Sequence, residues 1–226
     1  MLILAIETAT SRHSIAVLED SSVLGYRHGD SRGSHTRWLI PKIDELLRSL
    51  DLSMRKFSGL AVSIGPGSFT GLRAGLATVA GFRTALDIPI VIVPTLEALA
   101  WNIPSETRLI CPMLQATAQE VYWAGFRWER GILKRVTDDH VSQAEQVIEF
   151  FKEPVVGFGE GWLIHRHIIV EKSPVWTSAS ADVHEASAVS VALASLPRFA
   201  RGEYAQVGVT PRYVLPSYAE AKRRVS

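Results

Sequence analysis

The turn at residues 65–68, with the sequence GPGS, is the segment best suited to hold an anion. Gly65, Pro66 and Gly67 predict a tight connection from a strand into a helix, and the free amides after Ser68 would favour a phosphate. The segment lacks the lysine of a GxxxxGK[ST] loop, so it equally fits a glycine turn followed by a helix cap. Both interpretations stay open at this point.

A second polar segment, ETATSRHS at 7–14, follows the first apolar run. Its hydroxyls suit either phosphate contact or an ordinary polar hairpin. With the glycine turn it gives a candidate anion or nucleotide loop made of Thr8, Thr10, Ser11, Gly65, Gly67 and Ser68. The corresponding stretch of the second half, QATAQE at 115–120, has no carboxylate before Glu120, although a magnesium phosphate site would favour one.

The sequence gives little support for a catalytic metal site or for a catalytic nucleophile. No two of the seven histidines have the HxxxH spacing, and His165 and His167 would share a face only on a strand. Ser68 lacks a GxSxG context, and Cys111 lies in an apolar run. The sequence therefore predicts no catalytic metal and no catalytic residue.

The elements that must position the loops follow from hydrophobic periodicity. Apolar runs at 2–6, 14–18 and 23–26 predict a three-stranded meander. A stripe of apolar residues then predicts a helix from Ser34 to about Leu50: Trp38, Leu39, Ile43, Leu46, Leu47 and Leu50. A buried strand at 58–64, a second helix from Ser68 to about Leu86 and the strand IPIVIVP follow.

The second half repeats this plan. Strands are predicted at 108–114, 121–128 and 131–136, then a helix containing Val147, Ile148 and Phe151, the strand PVVGFG and a helix over about 184–199. This duplicated βββαβα order predicts an α/β architecture with an N-terminal lobe at 1–98 and a C-terminal lobe at 99–226.

The second helix is rich in small residues at four-residue spacing. Gly71 and Gly75 form one such pair, Ala74 and Thr78 another, and Ala77 and Gly81 a third. Because glycine lowers helix propensity by about 1 kcal/mol relative to alanine, close packing must compensate. The smooth face packs either on the chain's own sheet or on a partner subunit.

Composition excludes several classes of protein. The 226 residues are 47% hydrophobic and 21% charged, as in a folded globular chain, and 24 basic residues nearly balance 23 acidic ones. Strong autonomous nucleic-acid binding is therefore not expected, although the basic tail Lys222, Arg223 and Arg224 is either solvated or contacts RNA or a partner. No apolar run approaches the ~18 residues of a membrane span. A single cysteine fits a reducing cytoplasm.

Several motifs together resemble the TsaB (YeaZ) family: MLILAIETAT, SHTRWLIPKID, AVSIGPGSFTGLRAGLATVAG, VPTLEALA, EVYWAGF and TPRY. The resemblance implies a two-lobed fold of the actin/Hsp70/sugar-kinase (ASKHA) type without a catalytic metal site. It implies a cytoplasmic, non-catalytic subunit that binds the transferase TsaD together with the ATPase TsaE in making threonylcarbamoyladenosine beside the tRNA anticodon. It also implies a homodimer when the protein is alone, tRNA contact only through the complex, no cofactor of its own, and a nucleotide (ATP or ADP) at the complex interface.

The resemblance also implies the partner-binding residues, which lie on the two N-lobe helices: Trp38, Leu39, Pro41, Ile43, Leu46, Phe69, Leu72, Arg73, Ala74, Leu76 and Thr78. The sequence departs from the family at Glu7, where aspartate is common, at 115–117, where Asp-Ala-Arg is frequent, and at Leu215, where arginine usually follows Pro211 and Tyr213. These departures bear most on a nucleotide site. The alternative is a small-molecule kinase or ATPase of the same fold that uses the interlobe cleft, and a peptidase is the least supported.

Overall fold

A computed structural model describes residues 1–30, 35–104, 106–206, 210–212 and 214. The chain forms two compact units, here called unit 1 (Met1–Ala98 with Ala186–Arg212) and unit 2 (Leu99–Glu185). Among the described residues, no helix combines the length and apolar character needed to cross a bilayer. The predicted cap Ser34, the positions 213 and 215 and the basic tail at 222–224 lie outside the described residues.

Unit 1 is built on a five-stranded sheet in the order β3-β2-β1-β4-β5. Its strands are β1 (Leu2–Glu7), β2 (Arg12–Glu19), β3 (Ser22–Asp30), β4 (Gly59–Ser63) and β5 (Ile90–Val93). The first three pair antiparallel, as the predicted meander requires, and β1, β4 and β5 pair parallel. The carboxyl ends of β1 and β4 therefore lie side by side and bring the two polar segments together.

Helices α1 (His35–Ser49) and α2 (Phe69–Leu86) pack on one face of this sheet, and α3 (Thr95–Ala100) follows β5. Alternate residues of β1, such as Leu4 and Ile6, join the apolar stripe of α1 in one buried cluster. Helix α2 begins after the cap Ser68 and ends before Asp87, which adopts a left-handed conformation (φ 55°). Both helices lie where periodicity predicts them.

Unit 2 contains a larger sheet whose main order is β10-β7-β6-β11-β12, with β8 pairing β6 and β9. Its elements are β6 (Leu109–Gln115), β7 (Glu120–Trp123), β8 (Phe126–Glu129), β9 (Ile132–Arg135), β10 (His140–Gln143), β11 (Val155–Phe158), α4 (Glu160–Lys172) and β12 (Trp176–Ser178). Three buried tryptophans, Trp123, Trp162 and Trp176, dominate its core.

Two predicted elements of unit 2 are wrong. The strand expected over 121–128 is broken at Gly125, whose amide donates to Thr137 Oγ1 at 2.9 Å, so that β8 leaves β7 and pairs with β6. The helix expected around Val147 is a six-residue 3-10 segment, Ala144–Glu149. Helix α4 and strands β10 and β12 were not predicted.

The last helix, α5 (Ala188–Ala200), packs on unit 1, whereas the sequence placed residues 186–212 in the C-terminal lobe. The Ala188 amide donates to Ser14 Oγ on β2 at 2.9 Å, and Arg198 pairs with Glu97 at 2.7 Å. Gly59 on β4 leaves room for the Phe199 ring. The alternate residues of the sheet, such as Ala5 and Ala61, are fully buried and need a cover that α5 supplies.

Candidate functional site

The hairpin at 8–11 joins β1 to β2 and is held by the Glu7 carboxylate, which is fully buried. Glu7 Oε1 accepts from the Ala9 amide at 2.7 Å and from Ser63 Oγ at 3.3 Å, while Oε2 accepts from Thr10 Oγ1 at 2.8 Å. The donors that a phosphate would need in this hairpin therefore point at a side chain of the protein itself.

Burial raises the pKa of Glu7 from 4.5 to about 7, and hydrogen bonds from Thr10, Ala9 and Ser63 lower it in part. Desolvation disfavours the charged form, whereas donors aimed at the carboxylate favour it. Glu7 is therefore close to half-ionised at neutral pH.

The glycine turn at 65–67 meets this hairpin from the β4 side. The Ser68 amide donates to the Ala9 carbonyl at 2.6 Å, and the Gly71 amide donates to Ser68 Oγ at 3.2 Å. The Gly65 amide donates to Thr95 Oγ1 at 3.1 Å. These bonds form a helix cap and a turn, so the cap interpretation of the GPGS segment is confirmed.

The predicted anion loop is thus largely closed by its own contacts. Thr10 and Ser68 use their donors inside unit 1, Gly67 lies against the Ala9 carbonyl, and Thr8 Oγ1 is buried without a hydrogen-bond partner. Ser11 is exposed. Because the carbonyls of Thr8 and Ala9 already lie against the start of α2, the arrangement is poor for a phosphate.

The glycine-lined face of α2 is sealed inside unit 1, so of the two interpretations left open by the sequence, packing within the chain is correct for Gly71 and Gly75 and packing on a partner is not. A Cβ on Gly71 would lie 1.9 Å from the Thr8 carbonyl oxygen, and one on Gly75 would lie 2.4 Å from Thr8 Oγ1. Both glycines are buried, and they let the hairpin approach the helix backbone.

The predicted partner-binding residues divide between the core and the surface. Five of them are buried in unit 1 and are corrected to core residues: Leu39, Ile43, Leu46, Leu72 and Leu76. Trp38 is half-buried and packs edge-on against His13, with ring centroids 4.3 Å apart. The others are half-buried or exposed: Pro41, Phe69, Arg73, Ala74 and Thr78. The resemblance implied that the apolar stripe of α1 contacts a partner, whereas periodicity alone marks a buried face without saying what buries it.

The opposite side of α2 is exposed, and we call it the outer face: Thr70, Arg73, Ala77, Ala80, Gly81 and Thr84. A Cβ on Gly81 would meet no atom within 4 Å. The face is smooth and contains no carboxylate, and its one charge, Arg73, lies 3.8 Å over the Phe69 ring. The four-residue spacing of Ala77 and Gly81 is the sequence signal for this face.

Helix α1, which contacts α2, also has exposed apolar residues near its N-terminal end. Ile40 is 50% exposed, and Pro41 beside it is exposed as well. Further along α1, Asp44 pairs with Arg48 at 2.8 Å, and Glu45 pairs with Lys42. The N-terminal part of α1 therefore presents apolar atoms beside a small-residue helix.

The second hairpin, at 116–119 in unit 2, has a different construction. Thr117 Oγ1 accepts from the Glu120 amide at 3.2 Å, and the Gln115 side chain donates to the Thr117 carbonyl.

His165 and His167 lie on α4 rather than on a strand, and on this helix His165 is buried and His167 is exposed. Among the described residues, no three His, Cys, Asp or Glu side chains are arranged to hold a metal ion.

Comparison with known proteins agrees with this architecture. Residues 30–166 match the family model described as TsaD: tRNA N6-adenosine threonylcarbamoyltransferase. The chain is 29% identical to the tRNA threonylcarbamoyladenosine biosynthesis protein TsaB of Bacillus subtilis over 98% of this chain and 97% of that protein. It is 33% identical to the TsaB protein of Escherichia coli over 72% of each.

The solved structure of YeaZ from Pseudomonas aeruginosa superposes with a TM-score of 0.80 at 24% identity, covering 94% of this chain and 99% of that one. The fold is of the α/β actin/Hsp70/sugar-kinase (ASKHA) class that the sequence predicted. The chain belongs to the TsaB (YeaZ) family, because one TsaB relative matches nearly the whole sequence and another is 33% identical over 72% of each chain.

Proposed function

We propose that this protein is a non-catalytic scaffold subunit in tRNA threonylcarbamoyladenosine biosynthesis, and that it docks a TsaD subunit through the outer face of α2 and the exposed start of α1. Its relatives are named as tRNA threonylcarbamoyladenosine biosynthesis proteins, and these names support a role for this chain in the same pathway. The observation that carries the docking surface is the outer face itself, which is exposed, smooth and free of carboxylates.

Small residues on a helix let a second helix approach closely, and Ala77, Ala80 and Gly81 provide such a surface. Arg73 at one end suits a carboxylate on the partner. In this proposal TsaE joins the same complex, tRNA is contacted through the complex, and a second copy of the chain takes the same face when TsaD is absent. The location is the cytoplasm, where tRNA is modified.

The proposal assigns any nucleotide to the assembled complex rather than to this chain alone. The hairpin donors at Ala9 and Thr10 and the Ser68 amide are already paired within unit 1. The kinase or ATPase alternative needs those donors for phosphates, and it therefore receives less support. Calorimetry with ATP and Mg²⁺ on the isolated chain separates the two, because tight binding with turnover would establish the alternative.

The docking surface is tested by co-purification of the TsaD chain with two variants. Ala77→Trp and Ala80→Trp place a bulky ring on the outer face and should reduce the retained TsaD at least tenfold. Ala200→Trp is the matched control, since Ala200 is also an exposed helical alanine of unit 1 but lies on α5. Full retention by both outer-face variants would refute the assignment of this surface.

A further inference from the structure

A continuous chain of hydrogen bonds joins the buried Glu7 carboxylate to the first turn of α2. Glu7 Oε1 accepts from the Ala9 amide at 2.7 Å, the Ala9 carbonyl accepts from the Ser68 amide at 2.6 Å, and Ser68 Oγ accepts from the Gly71 amide at 3.2 Å. All of these groups belong to unit 1. This series of hydrogen bonds ends in the turn at which the outer face begins, because Thr70 lies in that turn and Arg73 follows it directly.

The surroundings of Glu7 accommodate both of its protonation states. Thr10 Oγ1 lies 2.8 Å from Glu7 Oε2 and 3.3 Å from the Arg12 carbonyl. With Glu7 ionised, the hydroxyl donates to the carboxylate. With a proton on Oε2, the carboxyl donates to Thr10 Oγ1, and the hydroxyl turns to the Arg12 carbonyl, so that neither state leaves an unpaired donor at Oε2.

Among the described residues, the groups shown to contact Glu7 carry no charge. Ala9, Thr10 and Ser63 donate hydrogen bonds to its carboxylate, and its register partner on β2 is Ser14, whose Oγ accepts from the Ala188 amide. The ionisable side chains on the neighbouring strands have other contacts: Arg12 lies 3.4 Å from His28, and His13 packs against Trp38. Only burial and hydrogen bonds from Thr10, Ala9 and Ser63 set the pKa of Glu7.

We infer that Glu7 is a positioning residue for the docking surface: its ionised carboxylate fixes the first turn of α2 through Ala9 and Ser68, and its protonation loosens that turn and weakens docking. This inference rests on the proposed function. The physical cause is that a charge-assisted hydrogen bond to the Ala9 amide is about twice as strong as a neutral one.

The first test follows the docking affinity for the TsaD chain between pH 6 and pH 8. The wild-type protein should bind about fivefold more weakly at pH 6, since half or more of Glu7 is then protonated. Glu7→Gln, which is neutral at both values, should bind weakly at both and lose this part of the pH dependence. Glu129→Gln is the control, because it removes an exposed carboxylate of unit 2 and should keep the wild-type profile.

The second test needs no partner. Hydrogen-exchange protection factors of the Ser68 and Gly71 amides should be about fivefold lower at pH 6 than at pH 8 in the wild-type protein, and constant in Glu7→Gln. Glu7→Asp, which keeps a titratable group, should retain a change of the same sign. The stability of the whole fold changes in the other direction, because burying the charged form makes the fold less stable as pH rises from 4.5 to about 7. If Glu7 acts only on global stability, these two amides should therefore be less protected at pH 8 than at pH 6, which would overturn the inference.

The outcomes separate the two claims. If TsaD binds neither the wild-type protein nor any variant at any pH, the proposed function fails while the exchange test still decides the role of Glu7. If TsaD binds but wild type and Glu7→Gln show the same pH profile and the same amide protection, the inference about Glu7 is overturned.

Discussion

The two sides of α2 are made of similar small residues but serve opposite purposes. On the inner side, Gly71 and Gly75 let the Thr8 segment press against the helix backbone, and there is no space for a methyl group. On the outer side, Ala77 and Gly81 face open space. On the inner side the small residues allow close approach of a segment of the same chain, and we propose that a partner helix approaches the outer side.

The largest effect expected from this difference is at the inner side. Gly71→Ala would force the Thr8 carbonyl away from a Cβ at 1.9 Å and should lower the free energy of unfolding by about 3 kcal/mol. Urea unfolding of the variant beside wild type measures it. An unchanged midpoint would show that the hairpin does not seal this face in solution.

The carboxylate behind the same hairpin should give the next largest effect. A rise of the pKa from 4.5 to about 7 means that ionised Glu7 costs the folded state about 3 kcal/mol above pH 7, and this cost is absent below pH 4.5. Glu7→Gln removes this cost but loses about 1 kcal/mol of hydrogen bonding, since its amide group cannot accept from every donor that the carboxylate does. The variant should therefore be more stable than wild type by about 2 kcal/mol at pH 8 and about equal to it at pH 5, where ionisation costs only about 1 kcal/mol. Urea unfolding from pH 5 to pH 8 tests this, and a constant difference across the range would contradict the buried titration.

The smallest effect is expected on the outer side, with the opposite sign to the inner one. Gly81→Ala adds a methyl group that meets no atom within 4 Å, so it should raise the free energy of unfolding by about 0.5 to 1 kcal/mol through helix propensity. Thermal unfolding of Gly81→Ala and Gly71→Ala together gives a direct contrast within one helix. Destabilisation by Gly81→Ala would mean that the outer side is covered within the chain.

Much of unit 1 could be predicted from the sequence because its signals are local. The β1–β3 meander and the Ser68 cap each depend on residues within a few positions of one another. The occupant of the inner face could not be predicted, since Thr8 lies more than sixty positions before Gly71. For the hydroxyls of the hairpin the sequence left open both phosphate contact and an ordinary polar hairpin, because nothing in the sequence shows that Glu7 is buried beneath them.

The elements that were missed lack a one-sided pattern or depend on distant contacts. Helix α4 has apolar side chains all around, with Trp162 and Ile169 buried and Leu163 and Ile164 exposed, so no stripe marks it. Helix α5 was predicted, but its assignment to unit 1 depends on Ser14 and Glu97, which are far away in sequence.

The central claim, that the outer face of α2 docks TsaD, is tested most directly by cross-linking from single cysteines. The natural Cys111 is buried, and burial raises its thiol pKa well above the ordinary value, so a reagent at the surface should leave it unmodified. A photo-cross-linker on Ala77→Cys should capture the TsaD chain, and the same reagent on Ala200→Cys should not. Capture from Ala200→Cys with none from Ala77→Cys would contradict the account.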